Sequence, residues 1–138
     1  MTINDHGFHR KIPRIRDEVD RMIIREIAVA GRETSRRAKS FVAVDHGNLK
    51  TSIRNDTKDM TSVVGTNVIY GPFVEFGTGS KVNVPNELRD YAIQFRGAGI
   101  REVNTRAQPY LYPAFFLQRD KLNRQIAKKT DDIFKRNS

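Results

Sequence analysis

Residues 45–66 read DHGNLKTSIRNDTKDMTSVVGT, and the sheet of the fold is sought in this stretch. Asp45-His46-Gly47-Asn48 has turn chemistry: small polar side chains and a glycine free to take positive φ. Leu49, Thr51 and Ile53 then alternate with Lys50, Ser52 and Arg54, the two-residue period of a half-exposed strand. Asn55 to Asp59 has turn chemistry again. Met60 to Thr66, centred on Val63 and Val64, reads as the returning strand. The stretch therefore predicts a β-hairpin.

Helical patterns flank it on both sides. Upstream, Ile15, Val19, Met22, Ile23, Ile27, Ala30, Ala38 and Phe41 recur mostly at steps of three, four and eight, which predicts a helix from about Pro13 to Phe41 with one apolar face. Gly31 is a weak point in it, costing about 1 kcal/mol against alanine, and a possible kink site. Downstream, a helix is expected from near Pro113 to about Lys135, with Phe115, Leu122, Ile126 and Ile133 on one face, flanked by Phe116, Ala127 and Phe134. Between hairpin and last helix, Pro72 permits a short helical turn that Gly77 would end. Tyr70, Phe73 and Phe76, three residues apart, would give that turn one aromatic face. A further short helix is expected after Asn83-Val84-Pro85, carrying Leu88, Tyr91, Ala92 and Phe95 and stopping at Gly97-Ala98-Gly99. A strand is possible at Ile100–Asn104.

The chain has 138 residues, one domain's worth, and carries 25 Lys plus Arg against 16 Asp plus Glu. It has no cysteine, which excludes a disulfide scaffold, a thiol nucleophile and cysteine-held zinc or iron–sulfur centres. Its apolar runs are far short of the roughly 20 residues of a membrane span, and no leader with an apolar centre is visible. The charge is uneven. Residues 1–43 hold ten basic and six acidic groups, residues 106–138 eight and three, and the middle is balanced at seven and seven. On the first helix Arg14, Arg21, Arg25, Arg32 and Arg36 fall in one stripe roughly opposite the apolar face. Glu18 lies in that stripe, within reach of Arg14 or Arg21. On the last helix Lys121, Arg124, Lys128 and Lys135 line one side. Such stripes are solvated faces or surfaces for an anionic partner.

No catalytic constellation emerges. Gly77-Thr78-Gly79-Ser80-Lys81 lacks the glycine spacing of a phosphate loop. His6 and His9 have no rigid shell for a metal. Glu75, among Tyr70, Phe73 and Phe76, is the carboxylate of most interest. An acid catalyst is one reading. A structural hydrogen bond or a salt bridge across a subunit boundary is the preferred one.

Three segments, in order, resemble a known family. Val44–Ile53 is similar to a V-D-T-G-N-L-R-x-S-I signature. Val64–Gly79 is similar to V-G-T-N-V-x-Y-A-P-Y-V-E-F-G-T. Ala107–Ala114 is similar to A-Q-P-F-L-R-P-A. These are motifs of the tail-completion or head–tail joining (neck) proteins of long-tailed phages, a family similar to the minor tail protein Z of phage lambda. Departures are small: His46 for Thr, Gly71 for Ala, Tyr112 for Arg, and the milder exchanges at Lys50, Phe73 and Tyr110.

The resemblance implies an α+β fold, a small antiparallel sheet packed by a long N-terminal helix and a C-terminal helix. It implies one domain over residues 1–138, with residues 1–12 a flexible arm and 79–107 a variable loop holding a short helix. It implies a structural virion protein rather than an enzyme, with no cofactor or metal. Identical subunits would form a ring, six favoured and twelve possible, between head-closure and tail-terminator or tail-tube proteins. Assembly would take place in the bacterial host cytoplasm. Tyr70, Phe73, Glu75, Phe76 and Thr78 become candidates for positions at or beneath the subunit interface. Arg14, Arg21, Arg25, Arg32, Arg36, Lys121, Arg124 and Lys128 become candidates to face either double-stranded DNA, without sequence readout, or neighbouring ring proteins. The alternative is a sequence-independent nucleic-acid-binding protein.

Overall fold

The computed structural model describes residues 8–93 and 104–138. Helix α1 (Phe8–Phe41) leads through a turn to the short α2 (Gly47–Ser52) and an antiparallel hairpin, β1 (Arg54–Lys58) and β2 (Thr61–Gly65). Next come α3 (Gly71–Phe76), two 3-10 turns (Gly79–Lys81 and Asn86–Leu88), the single turn α4 (Arg89–Ala92) and the long α5 (Leu111–Asn137). This is an α+β fold: a two-stranded antiparallel sheet packed with a long N-terminal and a C-terminal helix. Of the sequence expectations, residues 1–7 of the arm, Phe95, the stop at Gly97-Ala98-Gly99 and residues 100–103 of the strand lie outside the described residues.

Helices α1 and α5 run antiparallel. Glu18 pairs with Arg136 and Glu26 with Lys129, so numbers rise on one helix as they fall on the other. Helix α1 begins at Phe8, earlier than the expected Pro13, which lies inside it. The buried line of α5 includes Ala114, Gln118 and Ile133. Phe115, expected on that face, is exposed. The true line runs at four-residue steps through a small and a polar residue, which mask the pattern that the phenylalanine suggests.

The hairpin is displaced from its expected place. Gly47–Ser52 is helical rather than extended. Leu49 and Ile53 both point into the core, as the alternation required. A spacing of four satisfies a helical turn as well as a strand, and Thr51, between them, is exposed. The Thr51 and Ser52 hydroxyls donate back to the carbonyls of Gly47 and Leu49, at 3.1 and 2.7 Å. Asn55–Lys58, expected as a turn, is strand, paired Asn55 to Val64 and Thr57 to Ser62. The turn is the two-residue Asp59-Met60, with Asp59 at φ 52, a left-handed position that aspartate tolerates.

Gly31 explains how the hairpin lies on α1. A Cβ at Gly31 would stand 1.9 Å from the Ser62 hydroxyl oxygen and 2.9 Å from Ser62 Cβ. The missing side chain is the seat of β2, and Thr57 and Ser62 exchange a 2.9 Å hydroxyl bond above it. Beyond the hairpin, Ala38, Val42, Leu49, Ile53, Tyr110 and Ala114 form the main core, with Val64, Val68, Val74 and Leu111 packed against it. The core thus sits at the C-terminal end of α1, where α2, α3 and the start of α5 converge.

Gly31→Ala should lower stability by about 1 kcal/mol, because an overpacking cost of roughly 1–3 kcal/mol exceeds the helix-propensity gain. That corresponds to a Tm drop of about 3 °C. In a double-mutant cycle, adding Ser62→Gly should give a favourable coupling, read by thermal or urea denaturation.

Candidate functional site

The middle and C-terminal motifs meet at one point. Helix α3 starts at Gly71-Pro72 and stops at Gly77, where φ is 76. A Cβ there would meet the Lys81 carbonyl oxygen at 2.7 Å and backbone atoms of Thr105 and Ala107 at 2.8 Å, so only glycine fits. The halt leaves Glu75 in the last turn of α3, 4% exposed and aimed at the start of α5. Its Oε2 accepts the backbone N–H groups of Tyr110 and Leu111, both at 2.9 Å. Its Oε1 accepts that of Tyr112 at 2.8 Å. The N–H of Gln108 donates to the Val74 carbonyl at 2.8 Å.

The chemistry of this clamp is that of a helix cap supplied from afar. The first turn of any helix leaves its N–H groups without intrahelical partners. Tyr110 itself gives α5 no side-chain cap. A carboxylate supplies two acceptor oxygens and a negative charge suited to the positive end of the helix dipole. Glu75 is therefore a structural acceptor, one of the two preferred readings of its sequence context. Tyr110 lies buried in the core beside it. Burial first, and the nearby Glu75 charge second, push its phenol well above the usual tyrosine range. The Tyr110 hydroxyl also stands 3.0 Å from where a Cβ of Gly71 would sit. It occupies part of the space that alanine, the residue of the resembled motif, would need there.

The other interface candidates separate by depth. Phe76 is buried, Phe73 is half-buried and Tyr70 is exposed, so the three rings grade inward rather than share one face. Thr78 bridges to Thr105: its N–H donates to the Thr105 carbonyl and its hydroxyl accepts the Thr105 N–H, both at 2.9 Å. Tyr70 meets His46 with ring centroids 6.4 Å apart, which joins the loops before α2 and α3. In those loops Val44 is 96% exposed and Ile69 88%. Sequence reading passed over both. Their signal was an unbroken valine or isoleucine beside a turn, with no place in either periodic pattern.

The basic candidates Arg14, Arg21, Arg25, Arg32, Arg36, Lys121, Arg124 and Lys128 are all exposed. Glu18 reaches Arg136 on α5 rather than Arg14 or Arg21. Arg36 binds Glu33 at 2.7 Å. That bond, aided by the charges of Lys121 and Arg37, holds the Glu33 carboxyl below the usual carboxylate range. Lys121 therefore lies close to the α1 stripe. Arg14, Arg25, Arg32, Arg124 and Lys128 have no carboxylate partner among the described residues.

A family model described as "Bacteriophage HK97-gp10, putative tail-component" matches residues 7–77, just over half of the chain. The chain belongs to the HK97-gp10-like family. No curated protein and no solved structure matches it. The HK97-gp10-like match takes in α1, α2, the hairpin and α3, and it ends at the glycine that stops α3. The clamp thus ties the matched part of the chain to the segment beyond it. No helix among the described residues is long and apolar enough to cross a membrane.

Glu75→Ala should strand three buried donors and cost about 3 kcal/mol or more, with Glu75→Gln, which keeps one acceptor oxygen, losing about half of that. Circular dichroism melts would show both. Tyr110 adds an alkaline signature. Its phenol ionises in the unfolded chain near pH 10 but resists in the folded one, so stability falls as pH rises past about 10. Tyr110→Phe should flatten that part of the decline in urea titrations between pH 9 and 11.

Proposed function

We propose that this HK97-gp10-like tail component is a structural protein of the virion neck. Copies form a ring at the junction of head and tail, six favoured and twelve possible, and the role is not enzymatic. The likeness of its three motifs to tail-completion proteins, including the minor tail protein Z of phage lambda, supports the finer placement within the tail. Neighbours in the stack would be a head-closure protein on one side and a tail-terminator or tail-tube protein on the other. Assembly would occur in the cytoplasm of the bacterial host.

The observation that carries this reading is the apolar surface at the core end. Val44 and Ile69 stand almost wholly in solvent, Ile69 next to Tyr70 and Val44 two residues before the His46 ring that Tyr70 meets. Apolar side chains so exposed, next to turns closed by backbone bonds from His46 to Ala43 and from Gly71 to Val68, fit an interface that is completed by another subunit. Glu75, Phe76 and Thr78 would lie beneath it and fix its shape, while Tyr70 and Phe73 would reach it. The exposed cations of α1 and α5 support the second half of the reading. They would face a channel through which DNA passes, attracting phosphate without reading sequence.

Two experiments test the reading. Phage lacking this gene should give filled heads and separate tails that fail to join, seen by electron microscopy; normal infectious particles would overturn it. Ile69→Asp should leave the monomer's Tm within about 2 °C, as surface changes do, yet block ring formation in native mass spectrometry.

A further inference from the structure

Exposed apolar side chains also occur at the start of α1 and on the turns 86–92, and the charges flanking them on the same side, Lys11 and Arg16 in one case and Glu87 and Asp90 in the other, are of opposite sign. At the start of α1, Ile12 is 47% exposed. Lys11 stands beside it and Arg16 one turn on, with Arg16 only loosely paired to Asp20 at 3.9 Å. Residues 8–16 carry Arg10, Lys11, Arg14 and Arg16 and no carboxylate. At the core end, Glu87, Asp90 and Tyr91 share one side of the helical turns 86–92, with Leu88 and Ala92 half-buried and the exposed Arg89 on the opposite side. Tyr91 is 52% exposed.

One copy of the chain cannot bring these surfaces together. Ile12 precedes Ala38 of the core by 26 residues of one helix, about 39 Å. The segment leading to α4 is tied to the core end, where the Asn83 N–H donates to the Phe76 carbonyl at 2.8 Å. Tyr91 follows within roughly 20 Å of that bond, given helical rise over most of the path. A gap on the order of 20 Å remains. Self-pairing of two α1 starts about a two-fold axis is disfavoured too, because it would set Lys11 and Arg16 of one copy against the same cations of the other.

We infer that the start of α1 docks on the Glu87–Asp90–Tyr91 surface of a second copy, Ile12 against Tyr91 and Lys11 and Arg16 against the two carboxylates. The inference rests on the ring reading and supplies it with a head-to-tail contact. Such a contact uses two different surfaces and propagates until it closes. It leaves Arg14, Arg21 and Arg25, on the far side of α1 from Ile12, free for DNA.

The absence of native cysteine gives a clean test in the full chain. Ile12→Cys with Tyr91→Cys in one chain should give, on mild oxidation, a reducible ladder of covalent multimers, while either single variant stops at dimers. Glu87→Lys with Asp90→Lys should weaken association at least tenfold, and Lys11→Glu with Arg16→Glu in that background should restore it. A closed ring in native mass spectrometry without the ladder would overturn this contact and leave the ring reading standing. A wild-type chain that never assembles would remove both. DNA that shields Ile12→Cys from alkylation, with the Glu87 and Asp90 reversals silent, would make nucleic acid the occupant of this surface and overturn the inference.

Discussion

Three peptide N–H groups converging on one buried carboxylate hold this fold together. Glu75 receives Tyr110, Leu111 and Tyr112 from 35 to 37 positions along the chain. The bond does several things at once. It caps α5, positions Tyr110 in the core and closes the excursion of residues 77–109 at its base. Everything at the core end inherits its geometry from that closure. Glycine is required at the Gly77 stop because the backbone at Lys81 and at Thr105–Ala107 crowds the same point. A carboxylate used this way has its acceptor positions occupied by peptide groups, which is why its seat among aromatic residues signals architecture rather than acid chemistry.

The elements legible in the sequence were those with a single dominant period. Helices α1 and α5 announced themselves by long apolar repeats, and α3 by a proline at its start and a glycine at its end. The α+β class and a hairpin were legible as well. The position of the hairpin was not. Its inward residues on β1 are Asn55 and Thr57, polar groups that read as turn formers. Thr57 is acceptable inside because it lies with Ser62 over the bare backbone of Gly31 and bonds the Ser62 hydroxyl. The apolar alternation that mimicked a strand belongs instead to α2, where Leu49 and Ile53 share a face at a spacing common to both periods. Gly31 was read as a weakness of its helix, whereas it is a contact: its cost in helix propensity accompanies the close approach of β2.

The candidate site was legible in part, for a similar reason. Glu75 stood out as a carboxylate among aromatic rings, and a structural bond was among its preferred readings. Its partners are backbone N–H groups, which carry no residue signature, so they could not be named from sequence. The exposed pair Val44 and Ile69 was invisible because periodicity finds what is buried. An apolar residue that belongs to no buried face looks like noise until its exposure is known.

The charge of the chain is ordered by the same architecture. Acidic groups of α1 that face α5 are consumed in holding the two helices: Glu18 by Arg136 and Glu26 by Lys129. Pairing across the seam leaves the surplus on the outer faces, where Arg14, Arg25 and Arg32 on α1 and Arg124 and Lys128 on α5 have no carboxylate partner among the described residues. A protein that only needed solubility would gain from charge of either sign. Drawing Glu18 and Glu26 into the seam leaves the outer faces with more bases than acids, although Asp17, Asp120, Asp131 and Asp132 are exposed there as well. Exposed apolar side chains are spread over the described residues, Ile24 and Val29 among the bases of α1 included, but the two most exposed, Val44 and Ile69, lie in the loops before α2 and α3. The most exposed apolar pair and the unpaired cations of α1 and α5 thus belong to different elements. In a ring, contact surfaces point to neighbouring copies and the remaining faces point to the channel or the outside. Placing Val44 and Ile69 on loops and the unpaired cations on helix flanks is a division of labour that the proposed ring would use.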